Sequence, residues 1–169
     1  MYDKILETDR LLLRYQRHSD IMALVDIWAD TEVTKYIGQP RERDFLLNEF
    51  EKTANNPTLE KFDLWVVIEK ESGNIVGHCG FIDKHIEGKI EIDLTYIFSS
   101  AAWGNGYASE IASALKNYAF EKLGVTRLIA LIHPDNSASA NVAKKIGMNI
   151  ETRLARPNDE MRDMFVIEK

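Results

Sequence analysis

The chain has 169 residues, of which 45% are hydrophobic and 28% charged, and its formal net charge is −6. This length suits one well-packed core, so we predict a single domain over residues 1–169. The acidic balance, without a Lys/Arg run, argues against a nucleic-acid partner. No apolar run reaches membrane-spanning length, and the start "MYDKILETDR" does not resemble a secretion signal. The single cysteine, Cys79, excludes an intrachain disulfide and a multi-cysteine metal site, so we expect a cytoplasmic protein with neither a metal nor a membrane partner.

The first half of the chain alternates between strand and helix patterns. The turn sequences "ESGN" and "EGK" join its last three strands, which we expect to be antiparallel neighbours. The spacing of apolar residues predicts strands over 10–16, 61–70, 74–85 and 89–98 and helices over 19–30 and 41–56.

The second half continues the alternation. After a glycine turn, apolar residues at helical spacing predict a helix that ends near "KLG" (122–124). The strand, helix and strand between residues 89 and 133 predict a crossover between two parallel neighbours. The remaining predictions are a strand over 125–133, a helix over 136–147 and closing strands over 148–156 and 161–169.

The glycine turn, "WGNGYAS" (103–109), lies where a strand ends and a helix begins. The free N–H groups at a helix start carry partial positive charge and stabilise a phosphate, and glycine lets the backbone come close to it. A tight turn that needs positive φ is an equally valid interpretation of Gly104 and Gly106. The segment does not match the dinucleotide-binding fingerprint, because position 109 is Ser. It does not match the NTPase phosphate loop either, because no Lys lies between Lys89 and Lys116.

Four segments in order carry a family resemblance: the opening "LETDRLLLRYQRHSD", then "IVGHCGF", "WGNGYASE" and "HPDNSASANVAKKIGM". From about residue 6 onward the chain resembles the GNAT-fold acetyl-CoA-dependent N-acetyltransferases, in the branch that acetylates ribosomal-protein amino termini. The resemblance implies an α+β fold with a mixed, mostly antiparallel sheet, splayed between two central parallel strands and flanked by helices. It also implies acetyl-CoA as the acetyl donor and an amine as the acceptor.

The same resemblance assigns the cofactor contacts. The amides of five consecutive residues would hold the pyrophosphate of coenzyme A: Gly104, Asn105, Gly106, Tyr107 and Ala108. Trp103, where many members have Gln or Arg, is usual in this branch. The backbone at Tyr96, Ile97 and Phe98 would pair with the pantetheine arm, and the Phe98 N–H would polarise the thioester carbonyl. Asn136 would bond the same arm, and Lys144 or Lys145 would reach the 3′-phosphate, although two lysines also suit the last turn of a helix.

Acetyl transfer to an amine needs a proton acceptor, because amines are mostly protonated at neutral pH. Glu91, Asp93 and Thr95 alternate along one strand face, and the resemblance puts the acidic position at Asp93, with Glu91 next. The alternative is that these side chains face solvent or pair with a basic residue across the sheet. For the leaving thiolate, relatives use a Tyr where this chain has Ala143, so Ser139 is the candidate; Asn136 also fits a helix cap.

The acceptor side carries weaker signals. In relatives, the segment after the first helix forms one wall of the acceptor site, which makes Tyr36 and Arg41 substrate candidates. Arg153 and Asp163 resemble a recurring pair of the branch and are expected to interact. We expect an N-acetyltransferase that acts by direct transfer, as a monomer or homodimer; the alternatives are a non-catalytic acyl-CoA-binding or sensor module and a nucleotide-phosphate enzyme.

Overall fold

The structure is a computed structural model that describes residues 4–158 and 160–169; residues 1–3 and 159 of the predicted domain lie outside the described part. The strands within it are β1 (Lys4–Glu7), β2 (Leu11–Arg14), β3 (Leu64–Glu69), β4 (Ile75–Ile86), β5 (Lys89–Phe98), β6 (Arg127–Ile132), β7 (Asn149–Ala155) and β8 (Met161–Glu168). The helices are α1 (Ile21–Ala29), α2 (Thr31–Thr34), α3 (Arg43–Asn55), α4 (Tyr107–Glu121) and α5 (Ser137–Lys145), with 3-10 turns at His18–Asp20 and Ser100–Ala102.

All these strands form one sheet in the order β1-β2-β3-β4-β5-β6-β8-β7. Neighbours are antiparallel except β5 and β6, which are parallel and share a single registered pair, Asp93 with Ile129. Beyond that pair the two strands diverge. The predicted mixed, mostly antiparallel sheet with a central parallel pair is confirmed.

The sequence did not predict two short elements. β1 has four residues and pairs with β2 through a turn in which the Thr8 N–H donates to the Leu11 carbonyl (2.9 Å). α2 is a single turn, capped by Asp30, whose carboxylate accepts from the Glu32 N–H (2.9 Å). Segments this short carry too few residues for either apolar period to be visible.

Helices cover both faces of the sheet. On one face, α1 and α3 pack on β3 to β5 around Leu24, Val66 and Ile97. On the other, α4 and α5 pack around Leu94 and Ile111. Since strand side chains alternate, the odd-numbered residues of β5 point to the α1/α3 face and the even-numbered ones to the α4/α5 face. None of the helices within residues 4–158 and 160–169 has the length and apolar character needed to cross a membrane.

Candidate active site

A gap opens between β5 and β6 beyond Asp93, and the backbone of β5 lines it. The Ser99 N–H donates to Val76 O on β4 (2.9 Å), and Ile97 O accepts from the Cys79 thiol of β4 (3.8 Å). In an antiparallel ladder successive residues point their N–H and C=O to opposite sides. Tyr96 and Phe98 therefore direct their backbone groups into the gap, whereas the backbone of Ile97 faces β4.

At the end of β5 the chain turns through Gly104 and Gly106 into α4. Both glycines have left-handed backbones, with φ of 79° and 77°. A Cβ at Gly104 would meet nothing within 4 Å, so this glycine serves the conformation rather than a close contact. Gly106 is the N-cap of α4, and the described residues supply no side-chain hydrogen bond at this cap. The first-turn amides of α4 are therefore available to an anion.

The other side chains of the turn hold it in shape. The Trp103 indole is 52% exposed, and its Nε1 donates to Phe98 O (3.0 Å). The Asn105 amide donates to Ala102 O (3.0 Å), and the Tyr107 ring is buried under the start of α4. Ala108 is partly buried beside it. The geometry thus leaves the backbone of residues 104–108, rather than these side chains, to meet a ligand.

Helix α5 lies on the opposite side of the gap. The predicted cap is present: Asn136 Oδ1 accepts from the Ser139 N–H (3.1 Å). The Tyr96 hydroxyl of β5 donates to Ser139 O (2.9 Å), and burial raises the pKa of that hydroxyl. This bond places Ser139 next to the gap. Lys144 is exposed in the last turn of α5, where a cation stabilises the helix end.

Asp93 lies on β5 at the point where the gap begins, and it is 7% exposed. Its Oδ1 accepts from the Leu131 N–H of β6 (3.1 Å), and the Thr95 hydroxyl is 3.5 Å from Oδ2. Burial raises the pKa of this carboxyl to about 6, although the charge of Lys84 and the Leu131 hydrogen bond act in the other direction. A carboxyl with such a pKa is ionised at neutral pH and is a better proton acceptor than an ordinary aspartate.

Glu91, the second acidic candidate, is engaged differently. Its carboxylate forms an ion pair with Arg127 of β6 (Oε2–Nε 3.1 Å). Arg127 also pairs with Glu151 and Glu168, each at 3.0 Å. The cross-sheet pairing considered from the sequence therefore describes Glu91, and Asp93 is the carboxylate at the gap.

The two acceptor-side candidates lie in the segment between α2 and α3. The Tyr36 ring stacks on His133 at the end of β6, with 5.2 Å between centroids, and Tyr36 O accepts from Arg162 of β8 (3.4 Å). The Arg41 guanidinium lies 5.1 Å from the centre of the Trp28 ring. The segment thus bridges from β6 and β8 to α1.

An open cleft of about 520 Å³ lies along this segment. The Trp28 indole donates to His78 of β4 (3.1 Å), and His78 is paired with Ile97. Ile97 and Asp93 share one face of β5, so the cleft is on the same face of the sheet as Asp93. Its lining is Trp28, Thr34, Ile37, Gly38, Gln39, Pro40, Arg41, Glu42 and Phe45.

Two buried side chains of reactive types, His78 and Cys79, are held in environments that do not activate them. His78 lies between the Trp28 indole and Leu64 O, and burial lowers its pKa to about 4, so the ring is neutral. Cys79 is fully buried, and burial raises the pKa of its thiol. A buried, protonated thiol is not an activated nucleophile.

Sequence reasoning missed one residue at the glycine turn. Arg10 of the β1–β2 turn donates to Asn105 O (2.9 Å) and to the Glu110 carboxylate (2.7 Å). About a hundred residues separate these partners, so local spacing gave no signal. The predicted interaction of Arg153 with Asp163, on neighbouring strands, is present (2.6 Å).

Comparison with known proteins agrees with this geometry. The family model described as "Acetyltransferase (GNAT) domain" matches residues 10–149. The uncharacterized N-acetyltransferase p20 of Bacillus licheniformis is 32% identical over 158 residues, covering 86% of this chain and 83% of p20. A GNAT-family acetyltransferase from Bacillus anthracis superposes with a TM-score of 0.81 at 26% identity, covering 96% and 97% of the two chains.

A fold likeness extends to the ribosomal-protein acetyltransferases. RimL, a ribosomal L7/L12 α-N-protein acetyltransferase solved in complex with coenzyme A, has a TM-score of 0.78 at 16% identity, covering 98% and 97% of the chains. At this identity the likeness concerns the fold alone. The chain belongs to the GNAT acetyltransferase family.

Proposed function

We propose that the protein transfers the acetyl group of acetyl-CoA to a primary amine by direct attack. The observation that carries the proposal is the gap between β5 and β6. On one face of the sheet the gap meets the start of α4, where the described residues provide no side-chain cap. On the other face the gap begins at the buried carboxylate of Asp93. Coenzyme A is bound in the RimL structure.

Acetyl-CoA fits the residues around this gap. The amides of residues 104–108 would hold its pyrophosphate, since Gly106 begins α4 with a left-handed backbone and no described residue caps this helix start with its side chain. The backbone of Tyr96 and Phe98 would pair with the pantetheine arm, Asn136 would donate its side-chain amide to the same arm, and Lys144 would bind the 3′-phosphate. When bound, the cofactor supplies an acetyl thioester.

Residues of the chain then accept and donate the protons of the reaction. Asp93 takes a proton from the acceptor ammonium, and the free amine nitrogen bonds to the acetyl carbon as the carbon–sulfur bond breaks. The Phe98 N–H, which points into the gap, stabilises charge on the carbonyl oxygen. The departing sulfur receives its proton from Ser139 or from a water molecule held there. Two protons leave nitrogen in all, one from the ammonium to Asp93 and one as the amide forms. One proton reaches sulfur and the other is released to solvent, which restores Asp93 and Ser139.

We further propose that the acceptor is a peptide amino terminus or another amine with an apolar body, not a polycation. The lining described for the cleft has one carboxylate, Glu42, and one guanidinium, Arg41, among otherwise uncharged side chains. A polycation would meet too little negative charge there, while Trp28 and Phe45 offer apolar surface to the body of an amine. The cleft lies on the face of the sheet that carries Asp93.

Release of free thiol from acetyl-CoA tests the proposal. The protein is incubated with acetyl-CoA and, in turn, a short peptide with a free amino terminus, phenethylamine and spermidine. We expect amine-dependent thiol release with the first two acceptors and little with spermidine. Rapid turnover of spermidine alone would contradict the acceptor assignment.

A second candidate function is a non-catalytic acyl-CoA-binding or sensor module. The small exposure of Asp93, 7%, favours it, because a catalytic base must reach its substrate. Under this alternative the protein binds acetyl-CoA, yet releases no thiol with any amine of the panel.

A further inference from the structure

Arg10 makes a cluster of contacts at the glycine turn. Its Nε and Nη2 both lie 2.7 Å from Glu110 Oε2, and its Nη1 donates to Asn105 O (2.9 Å). The guanidinium carbon lies 4.7 Å from the centre of the Tyr107 ring. One side chain therefore contacts three residues that build the turn and the first turn of α4.

The partners of Arg10 are themselves held. Glu110 also accepts from the Thr8 hydroxyl (2.5 Å) and from the Arg10 backbone N–H (3.1 Å). The Tyr107 hydroxyl donates to Glu69 at the end of β3. These contacts connect the start of α4 to the β1–β2 turn and to β3. They hold Arg10 in position for its hydrogen bond to the Asn105 carbonyl.

The contact between Arg10 and the Asn105 carbonyl also fixes the direction of the next N–H group, that of Gly106. In a planar trans peptide, the carbonyl of one residue and the N–H of the next point in opposite directions. Because Arg10 holds the Asn105 carbonyl, the Gly106 N–H must point away from Arg10. Gly106, with φ of 77°, has access to more backbone conformations than other residues would, so a contact that fixes the adjacent peptide restricts it.

We propose that Arg10 is a positioning residue that sets the direction of the Gly106 amide for the pyrophosphate of coenzyme A. The inference rests on the proposed function, since it concerns the same cofactor. Arg10 acts through the backbone rather than by contact with the ligand. Its charge is already engaged by Glu110, and its planar fork bonds Glu110 and Asn105 O at once, which the single ammonium of a lysine does not reproduce.

The test compares Arg10→Lys with the wild-type protein, using acetyl-CoA binding measured by titration calorimetry. The lysine keeps the positive charge beside Glu110 but loses the fork to Asn105 O. We expect the dissociation constant to rise about tenfold, as for the loss of a charge-assisted hydrogen bond, with a nearly unchanged unfolding midpoint. In ¹H–¹⁵N spectra, the shift of the Gly106 amide on adding inorganic pyrophosphate shrinks, while amides late in α4 behave as in the wild type.

Arg43→Lys is the matched control. Arg43 pairs with Asp26 at 2.8 Å on the surface of the α1/α3 layer, away from the glycine turn. Its affinity for acetyl-CoA should equal that of the wild type. Wild-type affinity and a wild-type Gly106 response in Arg10→Lys would overturn the positioning role while leaving the proposed function intact. If the wild-type protein fails to bind acetyl-CoA, both proposals fall.

Discussion

The two helices that follow the parallel strands β5 and β6 begin in contrasting ways. At the start of α5, Asn136 accepts from the Ser139 N–H and caps the helix with its own side chain. At the start of α4, Gly106 has no side chain to do so, and the described residues provide no side-chain cap in its place. The chain thus uses a cap at one side of the gap and omits it at the other. A helix start without a side-chain cap beside a gap is where an outside anion is stabilised.

The largest effect on activity is expected for a substitution of Asp93, which lies where β5 and β6 still pair. Asp93→Asn removes the proton acceptor but keeps an oxygen for the Leu131 N–H. We expect kcat to fall by roughly 10²- to 10⁴-fold, the range typical of a lost general base. In the wild type kcat/KM should rise with pH through about 6, the pKa to which burial raises Asp93. Initial rates measured across pH should show that this rise is absent from the variant.

The same substitution should stabilise the fold at neutral pH. Because the folded-state pKa of Asp93 is raised, the folded protein retains the proton between about pH 4 and about pH 6 while the unfolded chain has released it. Stability from this group is therefore lost as the pH rises through that window. Asp93→Asn should have a higher unfolding midpoint than the wild type at pH 7, and the difference should vanish near pH 4. A lower midpoint at pH 7 would contradict the buried, proton-retaining carboxyl.

Gly106→Asp would place a carboxylate at the start of α4. The new side chain would begin 3.6 Å from Arg10 Nη2, its negative charge would repel a pyrophosphate, and the left-handed backbone would be strained. We expect the dissociation constant for acetyl-CoA to rise roughly 50-fold, a loss of two to three kcal/mol in charge-assisted bonding. Titration calorimetry measures this, and Gly73→Asp, at another left-handed glycine with open space around it, is the matched control. Equal affinities for both variants would remove the glycine turn from the cofactor site.

At α5, two substitutions separate the cap from the ligand contact. Asn136→Ala removes the cap and should lower the free energy of unfolding by about 1 kcal/mol. Asn136→Asp keeps the cap but removes the side-chain amide donor, so stability should stay near the wild type while acetyl-CoA binding weakens about fivefold. Chemical denaturation and calorimetry report the two quantities. Unaltered binding in Asn136→Asp would make Asn136 a structural cap alone.

The smallest effect is expected at Glu91. Glu91→Gln breaks one of three ion pairs of Arg127, which keeps Glu151 and Glu168. The free energy of unfolding should change by less than about 1 kcal/mol, as for other partly exposed pairs, and the pH–rate profile should match the wild type. A profile that loses its rise near pH 6 in Glu91→Gln, and keeps it in Asp93→Asn, would exchange the roles of the two carboxylates.

The sequence was most informative where structure follows from neighbouring residues. The glycine turn and the Asn136 cap depend on a few adjacent positions, and both were predicted. Glu91 and Asp93, in contrast, look equivalent along β5, and only the strand next to them distinguishes them: Arg127 pairs with Glu91, while the Leu131 N–H meets Asp93. Such contacts span more than thirty residues and carry no local pattern.

The strand, helix and strand pattern predicted the parallel pair, whereas the family resemblance supplied the splaying of these two strands and the roles of the site residues. Neither the sequence pattern nor the family resemblance predicted the contacts of Arg10, because its partners Asn105 and Glu110 follow about a hundred residues later. The cleft beside Trp28 likewise arises from packing of α1 against the segment before α3. These features depend on the packing of elements that are far apart in the chain, which local patterns in a single sequence do not predict.

The central claim, that the gap and the glycine turn form an acyl-CoA site, is tested most directly by thermal unfolding with acetyl-CoA, coenzyme A, ATP or NAD at equal concentration. A ligand that binds the folded state alone raises the midpoint in proportion to the logarithm of its saturation. We predict that acetyl-CoA and coenzyme A raise the midpoint and that ATP and NAD do not. Stabilisation by ATP or NAD without any shift from the coenzyme A compounds would contradict the account.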